Sequence, residues 1–484
     1  MGDETQRKRV QRRRLLRGAA LVAGAGLGSA ALSACSGVAG TSATPTGQSL
    51  VQTVYFQINW QQAWNNLAMR LCQEFTDKYF NSKYKGIRAV PQKWGGSQGV
   101  VTQIISGSPS APAVISSCCG DFFLARPVLK NITPLLRQDN LSTGLWSTGQ
   151  LQTFQESSGL YGVPAYTACQ PLIYNQTLFD TLGLPYPDPQ WDYHTAPAVW
   201  KSVSGTTKGG NHRYGTTWEW QPGGFDALPF MFKGFGGEEM DPTHTICLMD
   251  SKECIAAGNW LYPLVWNKYM INRWGLGPGG ANAMINGRTA MYQSAGNMLF
   301  EAVNVLGTNI KWDVIPLPSW PVRRATNVQV DFYGINAHFK NQELAWELFK
   351  FVAATKETNR FLVKSTLSFP NLIGMWAEWE ALIRAVAPMT KNKQLKWWRI
   401  AAEQGYGYGQ EFWKYQDPQT ESMIGSVLSK IWNQKLSVQG GFKQIAQQVT
   451  TFQRTAAQSA QRQGAVTALF PTHGPSVAPV ITGI

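Results

Sequence analysis

Histidine is scarce, with five in 484 residues. His194, His212, His244, His338 and His473 are scattered, and none falls in a recognisable catalytic motif. That argues against a serine hydrolase, whose nucleophile needs an imidazole within hydrogen-bond reach. Cysteine is thin as well. Cys72, Cys118, Cys119, Cys169, Cys247 and Cys254 contain no C-x-x-C pair and have no histidine at ligand spacing, so no metal site is expected. The uncharged run Gly18–Ala34 is mostly alanine and glycine and only 17 residues long. That is short of the roughly 20 apolar residues a transmembrane helix needs. Charged residues make up 15% of the chain, and no Lys/Arg-rich run follows residue 34. Of the net charge of +14, residues 1–34 hold +5 and leave +9 spread over the rest. With no nucleic-acid motif, that remainder excludes a nucleic-acid partner and fits a basic protein near anionic lipid or wall polymer.

What is present begins at the N-terminus. "QRRRLLRGAALVAGAGLGSAALSAC" has a basic region, a weak apolar stretch and a small-residue cleavage zone, the pattern of an export signal. "RRRLLR" resembles the twin-arginine export motif, with Arg12 and Arg13 as the pair. Leu32-Ser33-Ala34-Cys35 resembles a bacterial lipobox, which implies diacylation of the Cys35 thiol and cleavage before it. The expected mature chain is anchored in the cell membrane on its extracytoplasmic face by two acyl chains, which hold far better than one. Residues 35–49, rich in Ser, Thr, Gly and Pro, read as a flexible tether. In an oxidising compartment the remaining six cysteines leave two readings open. Cys247 and Cys254 close a short loop, or most of the six are small buried hydrophobes.

Further on, "SLVQTVYFQINW" (49–60) alternates as a strand. Residues 61–80 carry Trp64, Leu67, Leu71 and Phe75 on one helical face. "KGIRAV", "GVVTQIISG" and "APAVISS" continue as strand, helix and strand. A β-α-β-α-β start implies a mostly parallel sheet with helices on its faces, and ligands at the carboxyl ends of its strands. Within it, "GGSQG" (95–99) has the Gly-x-Ser-x-Gly spacing of a nucleophile elbow around Ser97. No histidine motif and no oxyanion-hole signature accompany it. Glycine is about a tenth of the chain, so a chance match is unsurprising. Ser97 is better read as a ligand contact or a helix cap.

From residue 159 the sequence resembles a known family. Gly162 and Pro164, Tyr174-Asn175, Leu178-Phe179, Gly183, Pro187 or Pro189, and Trp191-Asp192 follow the pattern of the extracellular solute-binding proteins of ABC importers. They match the sugar-binding class to which maltose-binding protein belongs. "MINGRTAMYQSAG" (284–296) and "KWDVIPLPSWP…VDFYGINAHFKNQELAWELFKFVAAT" (311–355) agree in order and spacing. The resemblance implies a two-lobed α/β fold of the type II periplasmic-binding-protein kind, with strands crossing near Pro164–Cys169 and Val330–Ile335. Lobe one would hold 50–165 and 333–378. Lobe two would hold 166–332 and 379–462, leaving 463–484 as a loose tail.

A sugar asks for aromatic faces and for hydrogen-bonding side chains. The residues expected at the cleft are Trp60, Trp94, Gln98 and Asp121 from lobe one, and Tyr166 near the hinge. Lobe two adds Trp218, Glu219, Trp220 and Tyr292, the return crossing adds Asp331, and Trp376 supplies a further ring. Asn297 stands where relatives often carry an aromatic. The 20 tryptophans suit such a cleft, although many would equally serve as core. The implied function is a monomeric, cofactor-free receptor that captures a carbohydrate and delivers it to permease subunits powered by a separate ATPase. The alternatives are a glycoside-active enzyme, with Glu219 and Asp331 as paired carboxylates, a binder of a non-sugar solute, and a binder with no transport role.

Overall fold

The computed structural model describes residues 52–462 except 58–61, 80–85, 93–95, 118–119, 125, 152–153, 157, 219–227, 243–244, 273–279, 294–297, 406 and 409–417. In the first part of the chain, strand β1 (Gln52–Gln57), helix α1 (Gln62–Tyr79), β2 (Ile87–Gln92), α2 (Ser97–Ile105) and β3 (Val114–Ser117) alternate as expected. β1 pairs in parallel with both β2 and β3. The central pairing buries Val54 and Phe56 on one face, and Leu67, Leu71 and Phe75 of α1 join the same cluster. Gly96, with φ +80°, stands at the N-cap position of α2, and Ser97 is the first helical residue. Ser97 therefore does not cap the helix. The turn needs a backbone conformation that glycine adopts without strain.

The middle of the chain continues with β4 (Val163–Cys169), β5 (Leu172–Asn175), α3 (Gln176–Leu182), α4 (Ala196–Val203), β6 (His212–Trp218), α5 (Leu228–Phe235), α6 (Lys252–Trp266), β7 (Met270–Asn272), α7 (Gly280–Ile285), β8 (Thr289–Tyr292) and β9 (Trp312–Ile315). Asn175 caps α3 by accepting the Leu178 N–H, and Gly183 ends it in the left-handed region. The last part holds β10 (Thr326–Ile335), α8 (Gln342–Ala354), α9 (Lys356–Thr366), α10 (Trp376–Val386), α11 (Lys396–Glu403), β11 (Gly407–Tyr408), α12 (Pro418–Trp432) and α13 (Val438–Arg462).

Two main sheets result. The first has the order β11-β10-β3-β1-β2, with β4 also paired to β10, and the second β7-β6-β8-β5-β9. One buried cluster draws on residues from Val54 to Tyr166 and from Phe332 to Met375. The second sheet is covered on both faces. One face packs α5, α6, α12 and α13 through residues such as Phe232, Leu261, Ile431 and Phe442. The other packs α7, α10 and α11 through Met284, Trp379 and Trp398.

β6 approaches α4 closely at Gly215, where any Cβ would collide with the backbone of Trp200. Gly215→Ala is expected to cost about 1–3 kcal/mol through overpacking. A shifted urea midpoint would register it, and an unchanged midpoint would contradict so tight a strand–helix contact.

Cys72, Cys169, Cys247 and Cys254 are buried free thiols, so the Cys247–Cys254 loop closure is not made. The Cys254 thiol instead donates to the Glu238 carbonyl at 3.3 Å. Burial pushes its pKa up to about 12, the environment of an inert packing cysteine.

Candidate functional site at the crossing strands

β4 and β10 run antiparallel and carry the chain between the two sheets. Their register pairs Val328 with Cys169 and Asp331 with Tyr166, then shifts so that Phe332 faces Pro164. Ala165 is the extra residue of this bulge. A bulge bends a strand and increases its twist. The two strands change cores at this point. Cys169 and Val328 belong to the cluster on the second sheet, whereas Tyr166 and Phe332 belong to that of the first.

Strand ends from both sheets meet this ribbon. On the first sheet, β3 ends at Ser117 opposite Phe332, and β1 ends at Gln57 beside Ile115. On the second, the residue after β8, Gln293, donates its backbone N–H to Thr217 at 2.8 Å. Its side-chain Nε2 donates to the Gln170 carbonyl at 2.8 Å and to Thr326 Oγ1 at 3.4 Å. Thr326 Oγ1 in turn donates to the same Gln170 carbonyl, and Asn327 Nδ2 reaches Gln170 Oε1 at 3.4 Å. This buried knot ties the lower ends of both crossing strands to the second sheet. None of its four residues was among the expected site residues. Its signal was three amide side chains and a threonine in stretches otherwise read as apolar strand ends.

Several polar atoms here are buried with no hydrogen-bond partner. They are both amide atoms of Gln57, the hydroxyls of Thr216 and Thr217, and Trp218 Nε1. Each such group costs about 1–3 kcal/mol unless a ligand or water satisfies it. Asp331 is buried on the ribbon. Two residues on, burial together with the Asp331 charge raises the Tyr333 phenol well above the ordinary tyrosine value, so it stays protonated.

The expected site residues distribute unevenly. Trp60, Trp94, Glu219 and Trp220 lie outside the described residues, as do Arg12, Arg13, Cys35 and Asn297. By chain order, Trp60, Trp94, Glu219 and Trp220 fall within three residues of the ends of β1, β2 and β6. Gln98 is exposed in the first turn of α2, and Asp121 lies in the short helix Gly120–Leu124. Tyr166 and Asp331 face each other across the ribbon, both buried.

Tyr292 is fully buried at the end of β8 with Gly280 packed on its ring. Trp218 is fully buried among Trp200, Trp260, Trp320 and Phe230. Trp376 is buried as well, donating Nε1 to the Pro370 carbonyl at 3.2 Å with its ring edge-on to Phe369. Their rings are occupied by protein neighbours rather than presented to solvent. The signal that put Trp218 and Trp376 in the cleft, an aromatic beside a strand end or loop, also describes a core tryptophan.

Among the described residues, no hydrogen bond joins Ser97 to a histidine. His212 and His338 engage the carbonyls of Lys268 and Pro127 through Nε2, each at 2.8 Å. The His194 ring lies against Tyr193. Among the described residues, no group of three His, Cys, Asp or Glu side chains could hold a metal ion. Among them, too, no helix is long and apolar enough to cross a membrane.

The family model for bacterial extracellular solute-binding proteins matches residues 63–359. No curated protein sequence matches the chain. Solved structures do. An ABC substrate-binding protein from Listeria monocytogenes in complex with cycloalternan has a TM-score of 0.65 at 18% identity, over 83% of this chain and 98% of that one. The GacH receptor of Streptomyces glaucescens, solved unliganded and with acarbose, gives 0.64 at 16% over 84% and 99%. UgpB from Mycobacterium tuberculosis, in complex with glycerophosphocholine, gives 0.63 at 16% over 86% and 100%. The mixed α/β architecture is that of maltose-binding-protein-like, two-lobed binding proteins.

Proposed function

The chain belongs to the bacterial extracellular solute-binding protein family, and from that membership we propose that it is the lipid-anchored receptor of an ABC importer for a carbohydrate. It closes two lobes on its ligand and hands it to the membrane permease. The observation that carries this reading is the β4–β10 ribbon, where the chain changes cores and strand ends of both sheets converge. Two lobes joined by such a narrow connection open and close as a hinge. The change of cluster agrees with crossings near Pro164–Cys169 and Val330–Ile335, and we place the lobes at 50–165 with 333–378 and at 166–332 with 379–462, with Val363, Leu367, Phe369 and Trp376 packing across onto the second sheet's cluster. The tail 463–484 and the tether 35–49 flank them.

The candidate contacts favour a neutral polyol. Trp60, Trp94 and Trp220 offer stacking faces just past strand ends. Gln98, Asp121, Glu219 and Asp331 offer hydrogen bonds, and Tyr166 and Tyr292 complete the set. No lysine or arginine is in this set, whereas a phosphodiester calls for cationic partners. Trp218 and Trp376 are assigned to support of the cleft from behind. The receptor acts as a monomer, without cofactor or metal, and hydrolyses nothing. Arg12 and Arg13 direct its export, and Cys35 anchors it. One observation favours a second reading, the binding of a glycerophosphodiester: the likeness to the glycerophosphocholine-bound protein.

A thermal-shift panel of mono- and oligosaccharides with glycerophosphodiesters separates the two. A ligand at a hundred times its Kd adds about 2.7 kcal/mol of stability. A sugar is expected to raise the melting temperature by several degrees and to change tryptophan fluorescence. A shift with glycerophosphocholine, peptides or polyamines and none with sugars refutes the carbohydrate assignment.

A further inference from the structure

A cavity of about 250 Å³ opens at the crossing end of the second sheet, and none of the expected cleft residues lines it. Its walls come from the turn after β4 (Pro171), the segment after β9 (Pro316, Leu317), the start of β10 (Arg324 to Thr326) and one side of α11 (Trp397, Ile400). The volume is far above the ~30 Å³ share of one water. It lies just under the range of about 300–1,000 Å³ typical of drug-sized ligands. A small organic molecule is the matching size.

The chemistry of the walls narrows the class. Arg324 is the one charged residue among the lining residues. The residue is half-buried, and among the described residues its side chain makes no ion pair or hydrogen bond. The half-buried Trp397 ring stands in the same cavity, and six of the nine other lining residues are proline or aliphatic, with Gln190, Thr326 and Gln404 the polar ones. A neutral polyol would leave Arg324 without a counter-charge and its own hydroxyls against apolar walls. A free phosphate dianion would find one cation for its two charges and would leave the apolar wall uncovered. A monoanion with an apolar body meets both demands. Its carboxylate takes the guanidinium fork and its body takes the apolar wall.

We propose that this cavity is a second ligand site, distinct from the crossing-strand cleft, that binds a small aromatic or branched organic carboxylate through Arg324 and Trp397.

The test titrates the full chain with 4-fluorobenzoate and, separately, with its neutral amide, read by fluorine NMR. The carboxylate is expected to bind saturably with a Kd below about 1 mM, and the amide about tenfold more weakly. Arg324→Met is expected to abolish the preference for carboxylate while the melting temperature stays at the wild-type value. Arg324→Lys, which keeps the charge and loses the fork, restores part of it. Trp397→Ala is expected to weaken both probes. Lys364→Met removes an exposed cation outside the cavity lining and is expected to change nothing. Absence of saturation, equal binding of acid and amide, or wild-type affinity in Arg324→Met overturns the proposal.

Discussion

Replacing Trp218 by alanine is expected to lower the stability of the protein by about 3–5 kcal/mol, the usual cost of emptying a large buried aromatic site. Trp218 ends β6 and is fully buried. Its ring is edge-on to Trp200 at 5.6 Å and to Trp320 at 6.1 Å, stacked on Trp260 at 6.4 Å and tilted to Phe230 at 5.8 Å. These neighbours cannot fold inward to fill the gap. Trp260 donates its Nε1 to the Tyr193 carbonyl, and Trp320 donates to that of Ala325, each at 2.8 Å. Pinned rings leave a cavity unrelaxed, and unrelaxed cavities are the costly ones. Trp218→Phe keeps most of the volume and is expected to cost less. Urea unfolding followed by circular dichroism measures both. If Trp218→Ala unfolds with the wild-type midpoint but loses ligand affinity, the ring belongs to the ligand site and the core assignment fails.

That cluster also shows what the sequence could and could not reveal. Period and punctuation were enough for the elements. The alternation in "TVYFQ" located β1, the helical face through Leu67, Leu71 and Phe75 located α1, and "LIYN" ended at the residue that caps α3. The β-α-β-α-β start and the parallel β2-β1-β3 core followed from local pattern alone. The destination of each tryptophan did not. An indole needs an apolar bed and one acceptor, and a cleft and a core both provide them. Trp191, Trp260, Trp320 and Trp379 take backbone carbonyls inside the protein, so the polar handle that suggests a ligand is already occupied. The Tyr166–Asp331 pairing and the Gln170–Gln293–Thr326 knot join segments far apart in the chain. No local period marks such partners. The Cys247–Cys254 expectation failed for a related reason, since short spacing says nothing about whether two thiols prefer packing to pairing.

Cys35→Ser is expected to move the protein from the membrane fraction to the soluble fraction almost completely. Each buried methylene contributes about 0.8 kcal/mol, and one myristoyl-length chain alone gives an association constant of only about 10⁴ M⁻¹. Two chains on one residue convert that reversible contact into stable retention, and serine offers no thiol to carry them. The mature chain has little else with which to hold a bilayer. Its excess of positive charge is spread out rather than gathered into a patch, and salt screens such attraction within about 10 Å at 0.1 M. A high-salt wash therefore releases any variant molecules held by charge and leaves the acylated wild type in place. The mass of the retained species decides the mechanism. Wild-type protein should begin at Cys35 and carry the mass of its lipid. A variant that remains in the washed membrane after its leader has been removed shows a different anchor, and the lipobox reading falls. A variant retained with residues 1–34 still attached is held by its uncleaved leader. That retention is the opposite of the expected release and counts equally against the lipobox reading.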